Sequence, residues 1–103
     1  MDYIIIEVPD MNDSVSRIVL LGTQYQIRFT WNETGAFWTF GLYDSLGEPL
    51  LIGVKIVPNF PLNLFCASDK LPDGIFAALT EQNRIGRTDF TAEKAKFVFA
   101  PTE

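Results

Sequence analysis

The sequence predicts an all-β domain: a single small antiparallel β-sandwich or barrel of about seven strands, with at most a short helical turn. Three observations carry that expectation. Between Gln24 and Trp31, apolar Tyr25, Ile27, Phe29 and Trp31 alternate with polar Gln24, Gln26, Arg28 and Thr30. A period of two places alternate side chains on opposite faces of a strand, whereas a helix would scatter the rings around its circumference. Turn signals recur every eight to fifteen residues, the spacing of a small sandwich or barrel. The runs between those turns are rich in β-branched and aromatic residues, and none carries a sustained helical period.

The elements follow in order. "DYIIIEV" is a β-branched strand stopped by Pro9, and "DMNDS" is a polar loop. "VSRIVLLG" resumes as a strand, and "GTQ" turns the chain into the alternating strand from Gln24, giving a first hairpin. "NETG" is a loop whose Gly35 tolerates a positive φ, and "AFWTFGLYD" returns with Trp38, Phe40 and Leu42 on one side. "DSLG" matches a type I turn, with Asp44 first and Gly47 fourth. "EPLLIGVKIV" reads as the next strand, with Leu50, Ile52, Val54 and Ile56 facing one way and Leu51, Gly53, Lys55 and Val57 the other. Aromatic rings are expected to fill the space left by Gly41 and Gly53.

Beyond Pro58, "PNFPLNLFCAS" reads as an edge strand or an extended segment lying across the sheet. "DKLPDG" is a loop, "IFAALT" a short strand, and "EQNRIGRTDFTAEKA" a polar connection with room for one helical turn. "KFVFA" is the last strand before Pro101.

A chain of 103 residues fits one domain spanning 1–103, and at this size roughly two-thirds of the unfolded surface is buried on folding. With 48% hydrophobic residues there is enough apolar side chain to order it without staples. Cys66 has no second cysteine to pair with, and nothing at the N-terminus reads as a secretory leader, so synthesis in a reducing cytosol is expected. "GEPLLIGVKIV" is too short for a membrane span and is interrupted by Lys55, so a soluble protein with no membrane partner is expected.

The residue inventory excludes several chemistries. There is no histidine, which removes Ser-His-Asp catalysis, the usual activation of a cysteine nucleophile and the usual zinc sites. Cys66 therefore reads as a small buried hydrophobe. "DKLPDG" lacks the alternating ligands and distant glutamate of a calcium loop, and no glycine cluster is spaced to cradle a phosphate. No catalytic residue, metal or cofactor is assigned. The triplets "NDS" and "NET" fit a glycosylation acceptor only in a secreted chain. A formal charge of −5, with the basic residues spread along the chain, argues against nucleic acid as a direct partner.

The rings of Tyr25, Phe29, Trp31, Trp38 and Phe40 are read as core, because they alternate with mainly neutral polar residues and not with Arg or Lys. The competing reading is a small ligand-binding β-barrel with an aromatic-lined pocket formed by Tyr25, Trp31, Trp38 and Tyr43.

The stretch "TQYQIRFTWNETGAFWTFGLYDSLGEPLLIGVKIVPNFPL", Thr23 to Leu62, narrows the choice. An aromatic strand ends in Trp-Asn, a Gly turn follows, and a second aromatic strand ends in Tyr-Asp. Then come a Gly-containing turn, Pro-Leu, a Gly-interrupted apolar strand and Val-Pro. With the apolar opening before Pro9 and the late "TDF" from Thr88, this order resembles the baseplate plug proteins of contractile-tailed bacteriophages, the cyanophage plug-like family.

The resemblance implies a non-enzymatic structural protein of the virion, at the centre of the tail baseplate, made in the cytoplasm of the bacterial host. Its implied partners are other tail proteins: hub, spike and the end of the tape-measure protein, with a homo-oligomer inside the baseplate as a further arrangement. Open sheet edges would suit such assembly. Tyr3 and Ile5 in the first strand, with Phe60, Leu62 and Phe65 near the prolines, are the expected partner-facing residues.

Overall fold

Seven strands run through the described residues: β1 (Ile4–Ile6), β2 (Asp13–Leu20), β3 (Thr23–Asn32), β4 (Phe37–Asp44), β5 (Pro49–Lys55), β6 (Gly74–Thr80) and β7 (Ala95–Pro101). The computed structural model describes residues 3–63 and 71–101. Every strand pairing is antiparallel, and the strands form a four-stranded sheet, β2-β3-β4-β5, and a three-stranded sheet, β1-β7-β6. The all-β expectation holds, as two sheets sharing one core. No helix is present among the described residues.

The sheets are joined by rings. Phe29 of β3 meets Phe97 of β7 edge-on at 4.9 Å, and Phe40 of β4 reaches Phe97 at 5.1 Å and Phe76 of β6 at 5.4 Å. Edge-to-face packing lets the positive rim of one ring meet the negative face of the next, which adds to the gain from burial. Ile27, Leu42, Leu51 and Ile56 complete the four-stranded side, and Ile6, Ala78 and Phe99 the other.

The β2–β3 hairpin keeps an unbroken register from Asp13↔Thr30 to Leu20↔Thr23. Its loop is Leu21–Gly22, one position earlier than "GTQ", with φ of +53° and +80°. Two successive positive φ values make a type I′ turn, whose twist matches the strands. Glycine suits that backbone, but Leu21 carries a side chain into a left-handed conformation that costs roughly 1–2 kcal/mol. Its side chain is exposed and contributes little in return. Leu21→Asn is expected to raise the unfolding free energy by about 1 kcal/mol, read as a higher urea midpoint at unchanged slope.

Gly35 differs from its expected role: the positive φ in the β3–β4 loop belongs to Ala36, at +57°. Gly35 is bare for a different reason. A Cβ there would lie 2.2 Å from the Phe37 ring, and its N–H is held by Asn32 Oδ1 at 2.8 Å. The "DSLG" turn closes as expected, with the Gly47 N–H bonded to the Asp44 carbonyl at 3.0 Å.

Strict alternation fails in β5. Register slips twice: between Phe40 and Leu42, where Phe40 faces Val54 and Leu42 faces Leu51, and again between Leu42 and Tyr43, where Tyr43 faces Pro49, so β5 holds one extra residue at each slip. Gly53 sits in the first bulge with φ +61°. The bulge turns Leu51 into the core and Ile52 out to 69% exposure, reversing the expected sides for both. Tyr43 covers Gly41, with its hydroxyl 3.3 Å and a ring carbon 3.4 Å from where a Cβ would stand, while the space over Gly53 is open.

The segment after β5 runs along the free edge of β6. Asn59 donates to the Thr80 carbonyl at 2.8 Å and accepts the Thr80 N–H at 3.1 Å. Asn63 does the same four residues later, donating to the Gly74 carbonyl and accepting the Phe76 N–H, both at 3.0 Å. The Asn59 and Leu62 N–H groups reach the Ala78 and Phe76 carbonyls between them, at 2.8 Å. The expected edge strand is therefore a bracket over Pro58–Asn63 with a single parallel bridge, Pro58↔Ala78. Phe65 and Cys66 lie outside the described residues.

Residues 81–94 make turns, the nearest to a helical one being the Ala92 N–H to Thr88 carbonyl bond of 2.9 Å.

Candidate interaction surfaces

One end of the sandwich is organised around Trp38. Its ring is buried, meets Trp31 at 5.5 Å and Phe90 at 6.0 Å, and its indole N–H donates to the Gly86 carbonyl at 3.1 Å. Arg87 spans the same ring, its guanidinium 5.5 Å from the centroid, while donating to Asn12 Oδ1 at 2.6 Å and Asp10 Oδ1 at 2.9 Å. The Asp89 carboxylate holds the loop's own backbone, accepting from the Gly86 N–H at 2.6 Å and Gln82 Nε2 at 2.8 Å. The loops at 9–12 and 81–94 are thus tied together across the end of the core. Reading along the sequence missed this cluster, because the hydrogen bonds that tie it together join residues 48 to 77 positions apart.

The outer face of the four-stranded sheet carries an ion pair. Arg28 donates to both oxygens of Asp13 at 2.8 and 2.7 Å, and Thr30 adds a third hydrogen bond at 3.2 Å. Bonding to Arg28 holds the Asp13 carboxyl below its ordinary 3.8, and Asp13 in turn raises the Arg28 guanidinium. A depressed carboxylate contributes stability that is present above its unfolded pKa and lost as pH falls through the folded value. Both groups are about half exposed, so the effect is small and screened by salt. Asp13→Asn is expected to lose a little stability at neutral pH and to flatten the fall in stability below pH 3.8, with the difference shrinking in added salt; urea titrations across that range read it.

Of the residues assigned to the core, Tyr25, Phe29, Trp38 and Phe40 are buried, and Trp31 is half-buried with its N–H on Glu33 Oε2 at 2.9 Å. Of the residues assigned to a partner surface, Tyr3, Ile5 and Phe60 are exposed at 42%, 57% and 47%. Leu62 is buried against the core, because its N–H is drawn to β6 by the bracket. Phe65 lies outside the described residues.

The open clefts among the described residues include three at strand edges. One, of about 410 Å³, separates the edges of β1 and β2 and is lined by Ile4, Ile6, Glu7, Ser16 and Ile18 among others. The other two, of about 690 and 710 Å³, flank the start of β7. None of the three is lined by Tyr25, Trp31, Trp38 or Tyr43, so the aromatic-pocket reading finds no support. Among the described residues no three acidic or thiol side chains gather closely enough to hold a metal ion.

The chain is matched over residues 1–102 by the family described as Cyanophage baseplate Pam3 plug gp18. The chain belongs to this family. As a plug-family protein it is a structural component of a bacteriophage tail baseplate, and its place is the virion tail. No curated protein matches it. The fold of this plug-family chain offers faces and edges as its features, with the ring-rich segment spent on joining the sheets.

Proposed function

We propose that this protein works in the baseplate as a packed block that carries out no reaction and binds neighbouring tail proteins, hub and spike among them, through its outer surface. The observation that carries this reading is the family match over 1–102 in a chain without histidine. The core of interlocking rings supports it, since rings that join the two sheets serve packing and leave binding to the surface. The surface contribution is placed on Tyr3, Ile5 and Phe60, large apolar side chains that stand exposed. Synthesis takes place in the bacterial host cytoplasm.

Ile5→Asp and Phe60→Asp test this in phage assembly. Both positions are exposed, so each variant is expected to fold, with near-UV circular dichroism unchanged. Each is expected to reduce the amount of the protein in purified virions several-fold. Normal incorporation of both would remove these residues from the docking surface, and peptidoglycan or peptide hydrolysis by the pure protein would overturn the non-enzymatic reading.

A further inference from the structure

The sandwich treats its sheet edges unequally. An open edge presents unpaired N–H and C=O groups to any other strand, and proteins usually guard it with bulges, proline, short length or cover. Here β6 is covered by the Asn59 and Asn63 brackets. β5 begins at Pro49 and carries two register slips, and β1 is only three residues long. Among the described residues β2 has none of these protections: eight residues without proline, in continuous register with β3 and with no strand paired on its other side.

The Trp31 N–H bonds to the Asn12 carbonyl at 2.7 Å, so alternation turns the even-numbered residues of β2 toward β3. The free edge is therefore formed by the backbone of Asp13, Val15, Arg17 and Val19, whose side chains lie on the outer, exposed face.

We propose that β2 pairs antiparallel with β2 of a second copy of this chain, about a two-fold axis through Val15. A two-fold axis makes the contact self-complementary, so each pair occurs twice and both edges are consumed. In this register Val15 faces the second copy's Val15, and Asp13 faces the second copy's Arg17. Met11 falls opposite the second copy's Val19. Met11, Val15 and Val19 are 56%, 59% and 64% exposed, so apolar surface meets apolar surface on either side of a charge pair. Asp13 already takes three hydrogen bonds from Arg28 and Thr30, and a carboxylate has about four acceptor sites, leaving room for the incoming guanidinium.

The inner face gives an independent reason. Ser14 Oγ is buried without a hydrogen-bond partner among the described residues. Pairing through Val15 sets Ser14 directly opposite the second copy's Ser16, in the closer, non-hydrogen-bonded kind of cross-strand pair where hydroxyls meet. Neighbouring registers lose these matches. An axis through Arg17 opposes two guanidinium groups, and one through Ser16 puts Asp13 against Val19 and Ser14 against Ile18. The result is one continuous eight-stranded sheet built from the two four-stranded sheets.

Sedimentation equilibrium of the full chain, from micromolar to millimolar, is expected to show a monomer–dimer equilibrium. Arg17→Asp, which sets two acids opposite each other, is expected to raise the dissociation constant about tenfold or more. Val15→Pro is expected to do the same, because the lost N–H faces the edge and not β3. In a Cys66→Ser background, Val15→Cys is expected to form a disulfide dimer on oxidation and Val19→Cys to form little. This readout needs only a folded chain, confirmed by near-UV circular dichroism. A monomer at every concentration overturns the pairing, as does a dimer indifferent to Arg17→Asp or linked equally well through Val19→Cys. If Val15→Cys links only to a different tail protein in virions, the edge belongs to that protein and the proposal fails.

Discussion

Truncating Phe97 to alanine is expected to lower the unfolding free energy by about 3–5 kcal/mol, the upper range for removing a buried ring. The position explains the size. Phe97 lies on the central strand of the three-stranded sheet and touches Phe29, Phe40 and Phe76, with centroid distances of 4.9, 5.1 and 6.0 Å. Its loss leaves a void between two sheets whose backbones are held by their own ladders and collapse only in part. Total stabilities of single domains run about 5–15 kcal/mol, so much of the folded population is at stake. Urea unfolding of Phe97→Ala and Phe97→Leu measures it, and Leu, which refills most of the volume, is expected to cost less than half as much. Near-equal losses would mean that the ring contacts matter more than the filled space.

Trp38→Ala is expected to cost a similar ~3–5 kcal/mol, with a different signature. Trp38 faces Trp31 across the hairpin and supports the 81–94 loop through its bond to Gly86 and its contacts with Phe90 and Arg87. Removing it frees that loop before the sheets separate. Limited proteolysis is the reading: trypsin is expected to cut at Arg84 and Arg87 in the variant under conditions where the parent chain resists. Trp38→Phe, which keeps a ring but loses the indole donor, should fall between the two. A Trp38→Ala chain as resistant as the parent would place the loop's support elsewhere, with Asp89 and its bonds to Gly86 and Gln82 the next candidate.

What was legible beforehand had local causes. The β3 and β4 strands follow from a period of two, and the hairpins follow from short polar connections between matching runs. The failures also have physical reasons. Leu51 and Ile52 changed sides because a single extra residue in a bulge inverts everything beyond it, and an edge strand has no partner on its far side to resist the slip. Leu62 reads as a surface residue by its proline-rich surroundings, yet its backbone is drawn inward by β6. The brackets left only the spacing of Asn59 and Asn63 as a trace, and asparagine in a proline-rich stretch reads first as a turn residue.

By itself the sequence determined the all-strand class, the order of the strands, the absence of imidazole chemistry and the likeness to baseplate plugs, because each depends on residue type and near-neighbour spacing. Only the tertiary structure decided which edges are closed. β1 joins β7 from the far end of the chain, Asn59 and Asn63 seal β6, Arg87 ties Asp10 to Trp38, and β2 is left open among the described residues. Those outcomes depend on backbone hydrogen bonds between distant segments, and such bonds are made by groups that every residue carries, so the side-chain sequence leaves little record of where they go.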